Sequence, residues 1–132
     1  MQKPAPSGQG VLKLDKQYKP IGVHLILEYF GCSFDLLNNY NFILGIATTA
    51  VVKSKCQVLK VDGYKFEPQG VTVYVLLAES HLSIHTYPEF GYAAIDVFTC
   101  GDKAMPYAAH TYLEQQLKPA NINIDEIKRG VA

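Results

Sequence analysis

The sequence predicts an α+β fold: a two-layer sandwich in which a mainly antiparallel sheet carries helices on one face. Several short segments alternate apolar and polar residues with the period of two that is typical of half-buried strands. These segments follow one another through short turns and not through helical crossovers, which favours antiparallel pairing. Two longer segments with helical spacing can cover one face of such a sheet.

The first ordered element is expected to begin near Pro20. Residues 1–18 contain prolines and glycines without a periodic apolar pattern, so we predict a flexible N-terminal arm there and a single domain over residues 19–132. Residues 21–31 alternate as a strand, which Gly31 ends. The next segment, CSFDLLNN, is ambiguous and is predicted to be a turn with one helical loop.

A helix is predicted from Asn41 to about Lys53, with Asn41 as its N-cap and apolar residues at helical spacing. Its many β-branched residues weaken the helix propensity. Residues 56–66 are predicted to form a strand that is interrupted at Asp62-Gly63, a dipeptide typical of turns. A loop follows at Pro68-Gln69-Gly70.

The second half of the chain has the strongest strand patterns. Residues 71–80 form a β-branched apolar run, residues 81–88 alternate, and another alternating strand follows Pro88 over residues 92–100. A second helix is predicted from Met105 to Leu117, with Pro106 at an early position that tolerates proline. The tail sequence INIDEIKRG predicts one more strand.

Composition excludes several classes of function. The 12 basic and 12 acidic side chains balance, so no electrostatic footprint for nucleic acid or for an anionic membrane is visible. We find no apolar run long enough to span a bilayer and no secretory leader, and therefore expect a cytoplasmic protein. The cysteines, three in number and without CxxC spacing, argue against a disulfide framework and a zinc knuckle.

Residues 79–102, ESHLSIHTYPEFGYAAIDVFTCGD, concentrate the reactive side chains. Because His81 and His85 lie on a predicted strand, about 13 Å separates them along it, too far for both to bind one metal ion. We therefore predict no metal site. A serine hydrolase is weakly supported, since no GxSxG elbow surrounds Ser80 or Ser83. A pair of Cys100 with either histidine stays open at this point.

The same residues resemble a known family. LLAESHLSIHTYPEFGYAAIDVFTCGD, the upstream YKFEPQGV and the first strand GVHLILEYFGCSFDLL are similar to the small prokaryotic S-adenosylmethionine decarboxylases. The resemblance covers roughly residues 20–118 and centres on the ESHxSIH block and YAAIDVFTCGD. It implies that the chain cuts itself between Glu79 and Ser80.

The resemblance also implies the cofactor. The hydroxyl of Ser80 would attack the preceding carbonyl to give an ester, and elimination and hydrolysis would convert the serine to a pyruvoyl group. That ketone forms a Schiff base with the substrate amine and accepts the electrons released with carbon dioxide, as pyridoxal phosphate does elsewhere. The product would supply aminopropyl groups for spermidine synthesis.

Further residues match the family's functional positions. His85 would transfer a proton during processing and Cys100 would protonate the carbon after decarboxylation. Phe66 would stack on the adenine, and Glu89 would accept hydrogen bonds from both ribose hydroxyls. Thr72 stands where the family commonly has a serine that helps processing; the hydroxyl is kept, but its methyl group is expected to crowd a turn. Tyr87 replaces a frequent tryptophan.

Family members pair as homodimers, so the resemblance implies a four-layer αββα sandwich. Each site would take Ser80 and Cys100 from one protomer and Phe66, Thr72, His85 and Glu89 from the other. Two alternatives stay open: a pyruvoyl-dependent arginine or ornithine decarboxylase of similar machinery, and a binding or regulatory homologue that never processes. The second is disfavoured because Ser80, His85 and Cys100 are all present.

Overall fold

A computed structural model describes residues 19–131. The predicted N-terminal arm lies outside the described residues. The elements, in chain order, are β1 (Gly22–Phe30), α1 (Phe34–Leu37), α2 (Tyr40–Lys53), β2 (Val58–Lys65), β3 (Val71–Leu77), β4 (Ser80–Tyr87), β5 (Tyr92–Cys100), α3 (Pro106–Leu117) and β6 (Asn121–Arg129). A single 3₁₀ turn, Pro88–Phe90, joins β4 to β5.

The described strands form one six-stranded sheet in the order β2-β3-β4-β5-β1-β6. Every neighbouring pair is antiparallel. Helix α2 packs on β2, β3 and β4, and α3 packs on β1 and β5. The predicted α+β class, the antiparallel sheet and the strand in the tail are therefore confirmed.

Alternation along the strands divides the sheet into a covered face and an open face. Apolar side chains on the covered face are fully or almost fully buried beneath the helices: Leu25, Leu27, Val73, Val75, Leu82, Ile84, Ile95 and Val97. We call the opposite side the open face; it carries His24, Ile26, Glu28, Thr72, Tyr74, Leu76, His81, Ser83, His85, Ala94, Asp96, Phe98 and Cys100. The predicted pairing of two open faces in a dimer stays a prediction.

The predicted interruption of the second strand was wrong. Gly63 lies inside β2 and pairs with Val73 of β3. A Cβ atom on Gly63 would lie 2.7 Å from the Thr72 carbonyl oxygen and 2.9 Å from the Tyr40 ring. This glycine therefore permits a close approach inside the sheet, a use of glycine that the dipeptide pattern does not distinguish from a turn.

Two predicted boundaries also needed correction. The Asn39 side chain, and not Asn41, caps α2 by accepting a hydrogen bond from Phe42 N at 3.0 Å. Asn41 lies within the first turn of the helix. Ser80, predicted at the end of one strand, begins the next, because a two-residue turn at Ala78 and Glu79 connects β3 to β4. Each helix within residues 19–131 is too short or too polar to cross a membrane.

Candidate active site

The turn between β3 and β4 is held by main-chain and side-chain hydrogen bonds. Ala78 N donates to Gln57 O, and Gln57 N donates to the Glu79 carboxylate, each at 3.0 Å. The carbonyl oxygen of Glu79 accepts a hydrogen bond from Cys100 N, also at 3.0 Å. This carbonyl belongs to the predicted scissile peptide. The Cys100 N–H therefore already contacts the oxygen that would become negatively charged if the carbonyl carbon were attacked.

Ser80 has a backbone conformation that is unusual for a residue with a side chain. Its φ angle is 143°, in a region that only glycine enters without strain. Strict alternation would put Ser80 on the covered face with Leu82 and Ile84. Its hydroxyl instead lies 3.6 Å from the Cys100 sulfur. The structure thus brings together Ser80 and Cys100, two of the residues that the sequence singled out.

The other predicted residues gather at the far end of β4. Thr72 and His85 pair across β3 and β4, and the Thr72 hydroxyl lies 3.0 Å from Nδ1 of His85. Phe66 and Glu89 line the same cleft of about 430 Å³. Phe66 is 45% exposed and packs edge-on against Tyr64. This cleft is therefore lined by an exposed aromatic ring, an exposed carboxylate and a histidine.

Thr72 is the second residue of β3 and does not lie in a turn. The expectation that its methyl group crowds a turn was therefore wrong. A β-branched residue suits a strand, and the hydroxyl remains available to His85.

The two groups of residues are separated within one chain. Ser80 is the first residue of β4, and His85 is five positions further on. At a rise of about 3.3 Å per residue, their Cα atoms lie about 16 Å apart. No imidazole can span that distance, so His85 does not reach Ser80 of its own protomer. Both groups border the open face.

A cluster that the sequence did not predict lies between them. Nε2 of His24 lies 2.7 Å and Nε2 of His81 lies 3.0 Å from the same carboxylate oxygen of Asp96, and Ser83 donates to the other oxygen. Burial raises the pKa of Asp96, but the hydrogen bonds from Ser83, His81 and His24 outweigh it and hold the pKa below its usual value. The alternation in YAAIDVF was the available signal, since it places a charged residue mid-strand beside apolar neighbours.

His81 and His85 do not share a ligand site. His81 joins His24 and Asp96, whose ligating atoms lie within 4.8 Å of one another, whereas His85 bonds to Thr72. The two histidines therefore belong to different clusters, as expected from their predicted separation of about 13 Å along the strand.

Comparison with known proteins identifies relatives along most of the chain. The family model for S-adenosylmethionine decarboxylase matches residues 23–130. The S-adenosylmethionine decarboxylase proenzyme of Clostridium kluyveri is 44% identical over 111 residues, which cover 84% of this chain and 88% of the relative. The proenzyme of Moorella thermoacetica is 43% identical over 113 residues, covering 86% and 90%. The crystal structure of the adenosylmethionine decarboxylase of Aquifex aeolicus superposes with a TM-score of 0.82 at 37% identity, covering 86% of this chain and 94% of that one.

Proposed function

This chain belongs to the S-adenosylmethionine decarboxylase family, and from that premise we propose that it cuts itself between Glu79 and Ser80 and decarboxylates S-adenosylmethionine with a pyruvoyl group made from Ser80. The observation that carries the proposal is the geometry at the scissile peptide. The Glu79 carbonyl accepts a hydrogen bond from Cys100 N, and the Ser80 backbone is strained. Relatives that are named proenzymes agree with self-processing.

The first step is an acyl shift within the chain. The Ser80 hydroxyl oxygen adds to the carbonyl carbon of Glu79, the C–N bond breaks, and the nitrogen of Ser80 takes up the hydroxyl proton. The Cys100 N–H stabilises the negative charge on the carbonyl oxygen during this step, at a distance of 3.0 Å before attack. The positive φ of Ser80 strains the intact peptide, and release of this strain lowers the free energy needed for the acyl shift.

The second step is elimination from the ester. A base removes the proton on Cα of Ser80 while the Cβ–O bond breaks, which releases the Glu79 carboxylate and leaves dehydroalanine. Water then displaces ammonia to give the pyruvoyl group. An imidazole is a suitable base near neutral pH, and we assign this role to His85, whose Nδ1 contacts the Thr72 hydroxyl.

That assignment requires two protomers, since His85 lies about 16 Å along the strand from Ser80 of its own chain. In a two-fold dimer, the Ser80 end of one open face meets the His85 end of the other, and the same contact repeats about the axis. Each dimer then has two composite sites. Apolar side chains on the open face support such pairing, with Tyr74 45% and Leu76 40% exposed in the single chain.

The pyruvoyl ketone supplies an electron sink for loss of carbon dioxide. Cys100 is the proton donor to the carbon that loses the carboxyl group, since its sulfur lies 3.6 Å from the Ser80 oxygen and so borders the reacting atoms. Phe66 and Glu89 bind the nucleoside: the exposed ring stacks on the adenine and the carboxylate accepts hydrogen bonds from the ribose.

Replacement of Glu89 by glutamine is expected to reduce kcat/KM about 10- to 100-fold, mostly through KM, because hydrogen bonds to a charged group are lost. Self-cleavage should keep the parental rate, since the exposed Glu89 side chain binds substrate and not the scissile peptide. Steady-state kinetics of the matured protein and a time course of cleavage measure the two effects separately.

Glu67→Gln is the matched control, because Glu67 is an exposed carboxylate that pairs with Lys65 at 3.7 Å and does not line the cleft. It should leave both rates unchanged. Equal losses of cleavage and of substrate binding in the Glu89→Gln protein would contradict the assignment of Glu89 to the ribose.

The substrate is tested by release of labelled carbon dioxide from carboxyl-labelled S-adenosylmethionine, arginine and ornithine in parallel. Release from S-adenosylmethionine alone supports the proposal. Release from arginine or ornithine alone would mean that the same pyruvoyl site decarboxylates a basic amino acid. It would overturn the proposed role of Phe66 and Glu89 in nucleoside binding.

A further inference from the structure

Four polar side chains form a continuous chain of hydrogen bonds across the open face. It begins at Arg129, the last residue of β6, whose guanidinium lies 3.2 Å from Nδ1 of His24 and 4.6 Å from the centre of the Phe98 ring. His24 contacts Asp96 at 2.7 Å, and Asp96 contacts His81 at 3.0 Å. His81 is the residue after Ser80, so this series of hydrogen bonds ends beside the scissile peptide.

The donors and acceptors in this chain follow from its two ends. A guanidinium only donates, so Nδ1 of His24 accepts and the ring proton lies on Nε2, which donates to Asp96. The Asp96 carboxylate only accepts when ionised, so Nε2 of His81 also carries a proton. Ser83 donates to the remaining oxygen of Asp96. Asp96 therefore accepts three hydrogen bonds, and each fixes a side chain on a different part of the face.

A divalent metal does not suit this arrangement, although His24, His81 and Asp96 could each offer one ligand atom. Metal binding needs Nε2 without a proton, which would move the proton of His24 to Nδ1. Nδ1 would then face the guanidinium of Arg129 at 3.2 Å, donor against donor. The pattern of hydrogen bonds instead suits a fixed, metal-free cluster.

We propose that Asp96 is a positioning residue for self-cleavage. Through its hydrogen bond to His81, which also stacks on Tyr74 with ring centres 5.5 Å apart, Asp96 fixes the chain immediately after the scissile bond. A residue other than glycine stays at a positive φ only where its surroundings hold it there. Asp96 thus keeps Ser80 at a φ of 143°, with its hydroxyl turned from the covered face.

This inference deepens the proposed function and rests on it. It concerns the acyl shift alone, in which the Ser80 oxygen bonds to the Glu79 carbonyl carbon and the C–N bond breaks. Elimination comes later and depends on His85. Loss of positioning at Asp96 should therefore block formation of the ester, whereas loss of His85 should let the ester accumulate.

Hydroxylamine distinguishes the two defects, because its nitrogen attacks the ester carbonyl, the C–O bond breaks, and the chain separates into a Glu79 hydroxamate and a fragment that begins with Ser80. Asp96→Asn should cleave itself at least ten-fold more slowly than the parent, and hydroxylamine should not restore cleavage. His85→Ala should also fail to mature on its own, but hydroxylamine should cut it.

His81→Phe is a second variant for the same link. It keeps an aromatic ring between Tyr74 and Phe98 but removes the donor to Asp96, and the same defect is expected. If Asp96→Asn does not fold, the His81→Phe protein provides the test. Asp125→Asn is the matched control: Asp125 is exposed, pairs with Ile26 on the open face and lies outside the hydrogen-bonded chain.

Full-length proteins with the thermal midpoint of the parent are compared by intact mass over time. Slow cleavage without hydroxylamine rescue in Asp96→Asn or His81→Phe, with parental cleavage in Asp125→Asn, establishes the positioning role. Parental cleavage in either of the first two, or full rescue by hydroxylamine, overturns it while the proposed function stands. An uncut parent would instead refute the proposed function itself.

Discussion

Chains carrying Ser80→Ala and chains carrying His85→Ala are expected to restore self-cleavage when they are produced together, and only the His85→Ala chain should be cut. Each variant alone should fail to mature. In the mixed dimer, one composite site combines the Ser80 and Cys100 of the His85→Ala chain with the intact Thr72 and His85 of its partner. The second site has neither the serine nor the histidine and stays inactive.

The measurement is an intact-mass spectrum with a tag of distinct mass on each chain. The ester has the mass of the uncut chain, so the appearance of two fragments reports elimination and not the acyl shift alone. As a control, the His85→Ala chain is paired with a chain carrying both substitutions, which leaves no His85 in any site and should give no fragments.

Failure of the His85→Ala chain to mature in the first mixture, while the parent matures, would contradict a site shared between protomers. It would mean that His85 acts on Ser80 of its own chain, although about 16 Å of strand separates them. Parental maturation of the His85→Ala chain on its own would instead show that His85 has no part in processing.

Cys100→Ala is expected to leave the chain cut but to lower turnover per matured site about 10²- to 10⁴-fold, the usual contribution of a positioned general acid. The two effects separate because they depend on different parts of the residue. Cleavage uses the main-chain N–H of Cys100, which bonds to the Glu79 carbonyl and remains in alanine. Turnover uses the thiol, which alanine lacks.

Single-turnover kinetics on fully matured protein measure the loss. Cys32→Ala serves as the control, since it removes a different thiol that is buried and lies outside both groups of site residues. It should turn over normally once folded. Normal turnover in Cys100→Ala would refute its role as proton donor, and failure to cleave would show that the side chain also contributes to processing.

Most strands were predictable because their residues alternate over a sheet with one covered face, and β3 was predictable from its β-branched apolar run. Even β6, whose residues are mostly exposed, was identified from the pattern in INIDEIKRG. The predictions for Gly63 and Asn41 were wrong for a common reason. A glycine after an aspartate can lie in a turn or inside a strand, and an asparagine before an apolar run can be an N-cap or lie in the first turn of the helix. The close approach of Thr72 and Tyr40 to Gly63 and the hydrogen bond from Phe42 N to Asn39 distinguish these uses, and neither is visible in the local sequence pattern.

The candidate site was predictable as a set of residues and not as a geometry. The ESHLSIH and FTCGD motifs indicated Ser80, His85 and Cys100 through a family resemblance. The positive φ of Ser80 and the bond from Cys100 N to the Glu79 carbonyl depend on the register of β4 against β5, with Ser80 opposite Thr99. No role was predicted for Asp96, because its partner His24 lies near the start of the described residues and Arg129, which contacts His24, lies near their end.

The most direct test of self-processing is an intact-mass spectrum of the purified protein under denaturing conditions. We expect two chains, residues 1–79 and residues 80–132, with the second lighter by one ammonia than a chain that begins with serine and without a free N-terminal amine. A single unmodified chain of 14.6 kDa that stays whole on prolonged incubation would contradict the proposal that Ser80 becomes the cofactor.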